Sequence, residues 1–573
     1  MSTNTSVLDV ATQNATLWTS DIFDAETRAE AQALLEKGGD DLIEPFYKDL
    51  DFGTGGMRGI MGVGTNRINP YTLGAATTGL VNYAKDTYER EDLKAVIAYD
   101  SRNNSQAFAR KVAEVLSANG VYTYLFEELR PTPELSFAVR ELGCDFGIVL
   151  TASHNPKEYN GYKVYWNDGG QLVPPHDGGV IARVRQTDFQ DINWNVNEDL
   201  IETISEAIDS KYIANVVAQS LNNDGKEALK VVFTALHGTS IVSVPPALKA
   251  SGFTNVHIVE EQATPDGNFP TVDSPNPEEG AALAMGIAQA EASGSDLVIG
   301  CDPDTDRVGI AVNDGTGKMQ LLNGNDTAAL LVHYVLSQAN ANNAVPENPF
   351  TAATIVTTDL IAKISEQYNI PCFRCLTGFK WIADIINNKP EMNFMVGGEE
   401  SYGYLIGDSV RDKDAVASAV MIAEMAAYAK AQGRTVLEQL EAIHREFGQY
   451  QERLISITKK GRSGAQEIAD MMTALRNDPP KTLAGSPVVI AIDHSNSTQT
   501  DLRTGATTST ELPASNVLQF ITEAGDKVSA RPSGTEPKIK FYFSVCTTTG
   551  ENHAETKAEL ERKIDTFIEE LNL

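Results

Sequence analysis

The stretch AVIAYDSRNNSQAFARKVAEVLSANGVYTYLFEELRPTPELSFAVRELGCDFGIVLTASHNP, residues 95–156, decides the architecture. Its apolar runs Ala95–Tyr99, 121–126 and Phe146–Leu150 are short enough for strands, and helical patterns over 105–118 and 132–142 separate them. Such β–α alternation implies parallel or mixed sheets sandwiched by helices. The last strand runs into Thr151-Ala-Ser-His-Asn-Pro156, continued as Glu158-Tyr-Asn-Gly-Tyr-Lys163. Proline disfavours the helical region for the residue before it, so Asn155-Pro156 keeps a helix from starting there. Ser153 is therefore expected to be held out, exposed, at a strand's end. If it carries a phosphoryl group, the chain should also supply a metal, a proton shuttle and phosphate clamps.

Working outward, residues 24–37 read as an amphipathic helix stopped by Gly38-Gly39. Polar sequence at 187–228 links to a second alternation, with strands 229–235, 255–260 and 296–300 and helices near 243–250 and 278–292. A linker at 340–350 leads to a third block. It holds strand 353–358, helices 360–368 and 377–388, the apolar segment Phe394–Val396 and helix 414–431. The C-terminal part differs, with a hairpin at 516–531 and a long amphipathic helix at 552–571, so an α+β domain fits there. No repeat is visible in the sequence.

At roughly 150 residues per domain, 573 residues suggest about four domains. The 42% hydrophobic and 22% charged content fits globular protein. No apolar run approaches the ~18 residues needed to span a bilayer. The N-terminal residues lack a secretory pattern, and five scattered cysteines point to a reducing compartment, so a cytoplasmic location is expected. Cys372 and Cys375 form a lone C-x-x-C, read as ordinary thiols. A net charge of −32 argues against nucleic acid or an anionic membrane as partner. An anionic ligand would then need arginine, lysine and backbone N–H groups concentrated locally.

The basic residues in and beside four loops fit that need. Asp302-Pro-Asp-Thr-Asp306 lies between strands 296–300 and 308–312, and its three carboxylates can converge on one hard divalent cation. It is not an EF-hand, because Arg307 stands where that loop needs glycine and Asn313 where it needs glutamate. Gly397-Gly-Glu-Glu-Ser-Tyr-Gly-Tyr404 suits a polyol or a plain glycine turn. Arg531-Pro-Ser-Gly-Thr-Glu-Pro-Lys538 makes a phosphate cradle. Asp51–Gly59 sets Arg58 among glycines but is neither a Walker loop nor a dinucleotide fingerprint. Of eight histidines only His154 has a chemically suggestive setting, and nothing points to zinc.

In this order the loops resemble the α-D-phosphohexomutase superfamily, the phosphoglucomutases and phosphomannomutases, and among them the longer bacterial and type-2 members. The resemblance extends through Phe52–Arg58, Tyr99-Asp-Ser-Arg102, Thr377-Gly-Phe-Lys-Trp381 and Val410-Arg-Asp-Lys-Asp414, nearly the whole chain. It implies three similar mixed-sheet α/β domains and a smaller α+β fourth around one cleft, at 1–225, 226–345, 346–450 and 451–573. It implies Ser153 as phosphoryl carrier, with Mg²⁺ held by Ser153, Asp302, Asp304 and Asp306. Lys163 is similar to the family's proton-shuttling lysine, its pKa expected to fall towards neutrality through desolvation and the nearby cation. Arg58 and His154 join it as catalytic residues. Substrate would be held by Arg307, Thr377, Gly378, Lys380, Glu399, Ser401 and Lys413, and by Arg531, Ser533, Gly534 and Thr535.

The implied reaction interconverts hexose 1- and 6-phosphates through a sugar 1,6-bisphosphate. Dual-specificity phosphomannomutases carry a histidine where this chain has Gly403, and Lys413 is expected to fill the equivalent space, which shifts the reading towards glucose phosphate. Phosphomannomutase and phosphopentomutase stay open as alternatives, as do a serine-dependent sugar phosphatase and a non-catalytic sugar-phosphate sensor. A monomer or homodimer is expected.

Overall fold

The computed structural model describes residues 6–53, 55–459, 461–533, 538–548 and 552–573. They form two compact units. The first comprises residues 1–322, 383–394 and 402–433, the second 323–382, 395–401 and 434–573, as far as these are described.

The first unit contains a seven-stranded mixed sheet. Its order is Phe52–Gly53, Gly56–Ile60, Tyr159–Trp166, Phe146–Leu150, Lys94–Tyr99, Tyr122–Phe126, Ile201–Ile204. The four strands from Phe146–Leu150 onward run parallel, and the other three pair antiparallel. All five residues of Phe146–Leu150 are buried, because helices cover both faces of a parallel sheet. Each large apolar side chain buried this way contributes about 1.5–3 kcal/mol. Helices Pro70–Tyr88 and Ser105–Ala118 supply the facing side chains, among them Leu80, Phe108 and Val112.

A five-stranded sheet follows in the same unit, ordered Met319–Leu322, Val308–Asn313, Leu297–Cys301, Lys230–Thr234, Asn255–Ile258. The antiparallel pair Leu297–Cys301 and Val308–Asn313 leaves the carboxylate loop as its connection. At the N-terminus, Trp18, Phe23, Phe46 and Tyr71 form a separate small core.

In the second unit, Cys372–Cys375 pairs in parallel with Pro349–Thr354, which lies beside Asn393–Glu399. The C-terminal domain is an antiparallel sheet running Gln449–Thr458, Lys538–Thr547, Lys527–Pro532, Leu518–Thr522, Ser486–Asp493, Thr498–Asp501, Thr507–Ser509. Its core joins Phe520, Phe541 and Phe543 to Leu560, Ile564 and Phe567 of the helix His553–Glu570. Three α/β domains with mixed sheets and a β-rich fourth are thus present.

Several boundaries differ from the sequence reading. The segment 187–228 is no simple linker, since Ile201–Ile204 is a sheet edge and Glu206–Ala218 a helix. Strand 353–358 lies earlier, at Pro349–Thr354. Its β-branched continuation turns instead, with Thr357 N donating to Thr354 O at 3.2 Å and the two hydroxyls 2.8 Å apart. The first helix read from sequence is Ala25–Lys37, capped by Asp24 accepting from Thr27 N at 2.8 Å and ended by Gly38 at φ 65°. Among the described residues no helix is long and apolar enough to cross a membrane.

Candidate active site

Ser153 lies in the turn that follows the strand Phe146–Leu150, in the left-handed region at φ 51°. Strain of that kind persists only when the surroundings over-determine it. Here Thr151 Oγ1 accepts from Ser153 N at 2.9 Å and donates to Asp100 Oδ2 at 2.6 Å. Arg102 threads the loop, donating to Ser153 O at 2.7 Å, Pro156 O at 2.8 Å, Tyr159 O at 3.0 Å and also Asn155 O. The serine is not held out in solvent as expected but is only 3% exposed. The reason is its partner, for Ser153 Oγ donates to Asp302 Oδ2 at 2.6 Å.

Asp302, Asp304 and Asp306 are all buried, with one oxygen from each within 4.8 Å of the others. Thr305 at φ 58° makes the tight turn, and Asp302 Oδ1 accepts from Asp306 N and Arg307 N at 3.1 and 3.0 Å. Thr132, at the start of helix Thr132–Glu141, donates its hydroxyl to Asp304 Oδ2 at 2.9 Å and its N–H to Asp304 O at 2.9 Å. Burial and the charges of Asp304 and Asp306 push the Asp302 carboxyl well above the usual range. Burial acts the same way on Asp306, but Lys163, Lys413 and Arg307 outweigh it and hold that carboxyl low.

Lys163 lies on strand Tyr159–Trp166, its Nζ 2.6 Å from Asp304 Oδ2 and 3.1 Å from Asp306 Oδ2. The expected fall in its pKa rests on desolvation together with a bound cation. Burial does lower it, but the two carboxylates outweigh burial and hold the ammonium above its ordinary value. Lys413 Nζ lies 3.2 Å from Asp306 Oδ2 and 3.0 Å from Asp412 Oδ1. It runs over Gly403, where a Cβ would come within 2.0 Å of Lys413 Cδ. Gly403 therefore makes room for the lysine.

His154 Nδ1 is 3.1 Å from Ser153 Oγ. Burial, then Arg307 and Arg58, hold the imidazole well below its ordinary pKa, so it is neutral at neutral pH. Arg58 donates to Asn155 Oδ1 at 2.8 Å. Its strand depends on Gly56 at φ 117°, where a Cβ would sit 1.8 Å from Tyr162 O. Arg307 pairs with Glu278 and lies 3.8 Å from Asp306 Oδ1.

The second unit holds the other predicted loops. Gly378 N donates to Glu399 Oε1 at 2.8 Å, which joins the Thr377–Lys380 segment to the loop of Glu399 and Ser401. Lys380 Nζ stands 4.9 Å from the Trp381 ring centroid. Arg531 lies on strand Lys527–Pro532 opposite Lys540, and Ser533 N donates to Lys538 O at 2.7 Å. Gly534 and Thr535 lie outside the described residues.

Residues 49–191, 210–315 and 323–447 match, in order, the phosphoglucomutase/phosphomannomutase alpha/beta/alpha domains I, II and III. A phosphoglucomutase from Staphylococcus haemolyticus is 37% identical over 506 residues, which cover 87% of this chain and 91% of the relative. The chain belongs to the phosphoglucomutase/phosphomannomutase family. A Staphylococcus epidermidis phosphoglucomutase is also 37% identical, over 87% of this chain and 90% of its own length. Solved structures share the fold. The Paramecium parafusin (phosphoglucomutase), in an open form, matches 92% of this chain and 96% of its own at TM-score 0.67 and 16% identity. A phosphoglucomutase/phosphomannomutase family protein from Burkholderia thailandensis matches 91% and 97% at TM-score 0.65 and 18% identity. As a member of this family the chain is an isomerase, a mutase.

Family membership implies a metal, and the residues fit one. All candidate ligands are hard oxygens, with no histidine or cysteine among them. Asp304 Oδ1 and Asp306 Oδ1 are buried without a hydrogen-bond partner among the described residues. Buried carboxylate oxygens of that kind are costly unless a cation takes them. Sequence reasoning gave no role to Arg102, Asp100, Thr151 or Thr132. The first three stand inside quoted motifs and were open to discovery there. Thr132 carries no local signal, because its role exists only through contact with residue 304.

Proposed function

We propose that this chain interconverts glucose 1-phosphate and glucose 6-phosphate, with Ser153 as the phosphoryl carrier and a glucose 1,6-bisphosphate intermediate. The observation that carries the reading is the 2.6 Å bond between Ser153 Oγ and Asp302 in a buried carboxylate cluster. A phosphorylated serine at that place meets cations from several directions: Lys163 and Lys413 stand on the same carboxylates, and Arg307 lies beside Asp306. Phosphoryl transfer depends chiefly on such positioning and charge neutralisation.

Asp302, Asp304 and Asp306, with an oxygen of phosphorylated Ser153, would hold a divalent cation such as Mg²⁺, which when bound supplies Lewis-acid neutralisation of phosphoryl charge. In the first transfer a sugar hydroxyl oxygen forms the new P–O bond as the Ser153 Oγ–P bond breaks, and the proton the hydroxyl loses is matched by one that Ser153 Oγ gains. In the return transfer Ser153 Oγ forms the P–O bond as the other sugar O–P bond breaks, and the proton moves the opposite way. Lys163 is the proposed shuttle, and its cationic state makes it the acid at the serine end. Neutral His154 accepts from or donates to Ser153 Oγ without adding charge. Arg58 steadies transferring oxygens. Glu399 and Ser401 are proposed to hold sugar hydroxyls, aided by Thr377, Gly378 and Lys380. Arg531, Ser533, Gly534 and Thr535 are proposed to hold the phosphate that is not in transfer.

Gly403 favours glucose phosphate over mannose phosphate, because the space above it is filled by Lys413. We take the chain as four domains at the boundaries read from sequence, working on free sugar phosphates in the cytoplasm. The deciding experiment compares kcat/KM for glucose, mannose, glucosamine and ribose 1-phosphates, each with its bisphosphate. Glucose should lead. A higher value for another sugar removes the glucose assignment, and inorganic phosphate released faster than isomer makes the protein a phosphatase.

A further inference from the structure

The segment Ala263–Thr271 contains none of the site motifs, yet within the first unit it touches Arg102 directly and is joined through His237 to the residues that lie on the carboxylate loop. It is hung on His237. His237 N donates to Gln262 O at 3.0 Å and Asp266 N donates to His237 O at 3.1 Å. The ring is held at both nitrogens, with Nδ1 3.0 Å from Thr264 O and Nε2 2.9 Å from Thr271 Oγ1. A carbonyl can only accept, so Nδ1 donates to Thr264 O. Leu236 at φ 45° and His237 at φ 60° turn the chain sharply after strand Lys230–Thr234.

The residues that follow lie on the carboxylate loop. Thr239 N donates to Pro303 O at 2.8 Å, and Thr239 Oγ1 is 2.6 Å from Thr305 Oγ1. A Cβ on Gly238 would lie 2.5 Å from Pro303 Cα, so the backbones touch directly. At the far end of the segment, Phe269 is buried at φ 48°, and the Arg102 guanidinium lies over its ring at 5.1 Å. Asn103 Nδ2 donates to Asn268 Oδ1 at 3.1 Å. A Cβ on Gly267 would meet Asn103 N at 2.2 Å and Arg102 C at 2.7 Å. Arg102 is the residue whose guanidinium gathers the carbonyls of the Ser153 loop.

We propose that Asp266–Phe269 is a positioning clasp, which closes over Arg102 and fixes the Ser153 loop in register with the Asp302 loop. Neither Gly267 nor Phe269 touches the reacting atoms; they act through Arg102. The clasp gives the two loops a connection that does not depend on the Ser153–Asp302 hydrogen bond, which must be lost each time the serine oxygen is phosphorylated. Its catalytic consequence rests on Ser153 being the carrier proposed above. Misplacement of reacting groups by about 1 Å costs on the order of a hundredfold in rate.

The test uses the full chain with Gly267→Ala and Phe269→Leu, read by hydrogen exchange and by steady-state kinetics. Amides of residues 151–159 should exchange at least about tenfold faster in both variants, while those of strand Leu297–Cys301 stay as in wild type. With glucose 1-phosphate, kcat should fall about ten- to a hundredfold at nearly constant KM, and Phe269→Tyr, which keeps the ring, should recover most of it. Unchanged exchange at 151–159 in the folded variants overturns the clasp, and so does acceleration spread evenly over the first unit. If Gly267→Ala fails to fold, Phe269→Leu and Asn268→Ala decide by the same exchange readout. If the variants show the exchange contrast against wild type but the wild type itself has no turnover, the mutase reading is removed and the clasp stands.

Discussion

Ser153 is a residue whose neighbours define it more than its own chemistry does. Its positive φ, buried hydroxyl and bond to Asp302 require Thr151, Arg102 and the carboxylate loop together. Ser153→Ala should abolish both the phosphorylated peptide in mass spectra and mutase turnover; normal turnover would exclude it as carrier. Gly403 matters for the opposite reason, that it has no side chain. Gly403→Ala drives a Cβ into Lys413 Cδ, so kcat/KM for glucose 1-phosphate should fall about tenfold, the equivalent of about 1.4 kcal/mol in the barrier. An unchanged value would show that the lysine's path is not constrained there.

At the scale of elements, the site is a meeting of strand ends. Strand Phe146–Leu150 delivers Ser153, strand Tyr159–Trp166 delivers Lys163, and the turn after Leu297–Cys301 delivers three aspartates. The helix Thr132–Glu141 adds Thr132, which orients Asp304. Partners of metal ligands commonly govern affinity by about ten- to a hundredfold. Thr132→Val should therefore raise the Mg²⁺ concentration for half-maximal activity by about tenfold or more, with the backbone bond to Asp304 O retained. Removing divalent cations altogether should stop turnover reversibly, and full activity in excess chelator would end the role assigned to the Asp302 loop. Helices 105–118 and 132–142 were legible in the sequence almost to the residue, since their apolar period is local. The edge strand Ile201–Ile204 was not, because its half-exposed residues are stabilised by pairing with Tyr122–Phe126.

For the molecule as a whole, the acidity read from the sequence becomes a stability question wherever carboxylates are gathered. In the second unit, burial pushes Glu452 up to about 8, its hydrogen bonds to Thr358 and Ser544 opposing and the charges of Asp326 and Asp359 assisting. A carboxyl whose folded pKa exceeds its ordinary 4.5 favours folding below that value and loses this contribution as pH rises towards 8. Glu452→Gln should flatten the decline of the thermal midpoint between about pH 5 and 8; parallel curves for wild type and variant would refute it.

The sequence by itself determined the β–α alternation, the order of the four loops and the ligand chemistry each offers, because strand period, turn residues and paired carboxylates are written in neighbouring positions. Only the tertiary structure decided that Ser153 is buried and that Lys163 stands between Asp304 and Asp306. It alone brought Thr132 to Asp304 and laid Lys413 over Gly403. Burial, Coulomb balance and close approach depend on which distant loops share a few ångströms, and no single stretch of the chain carries that information.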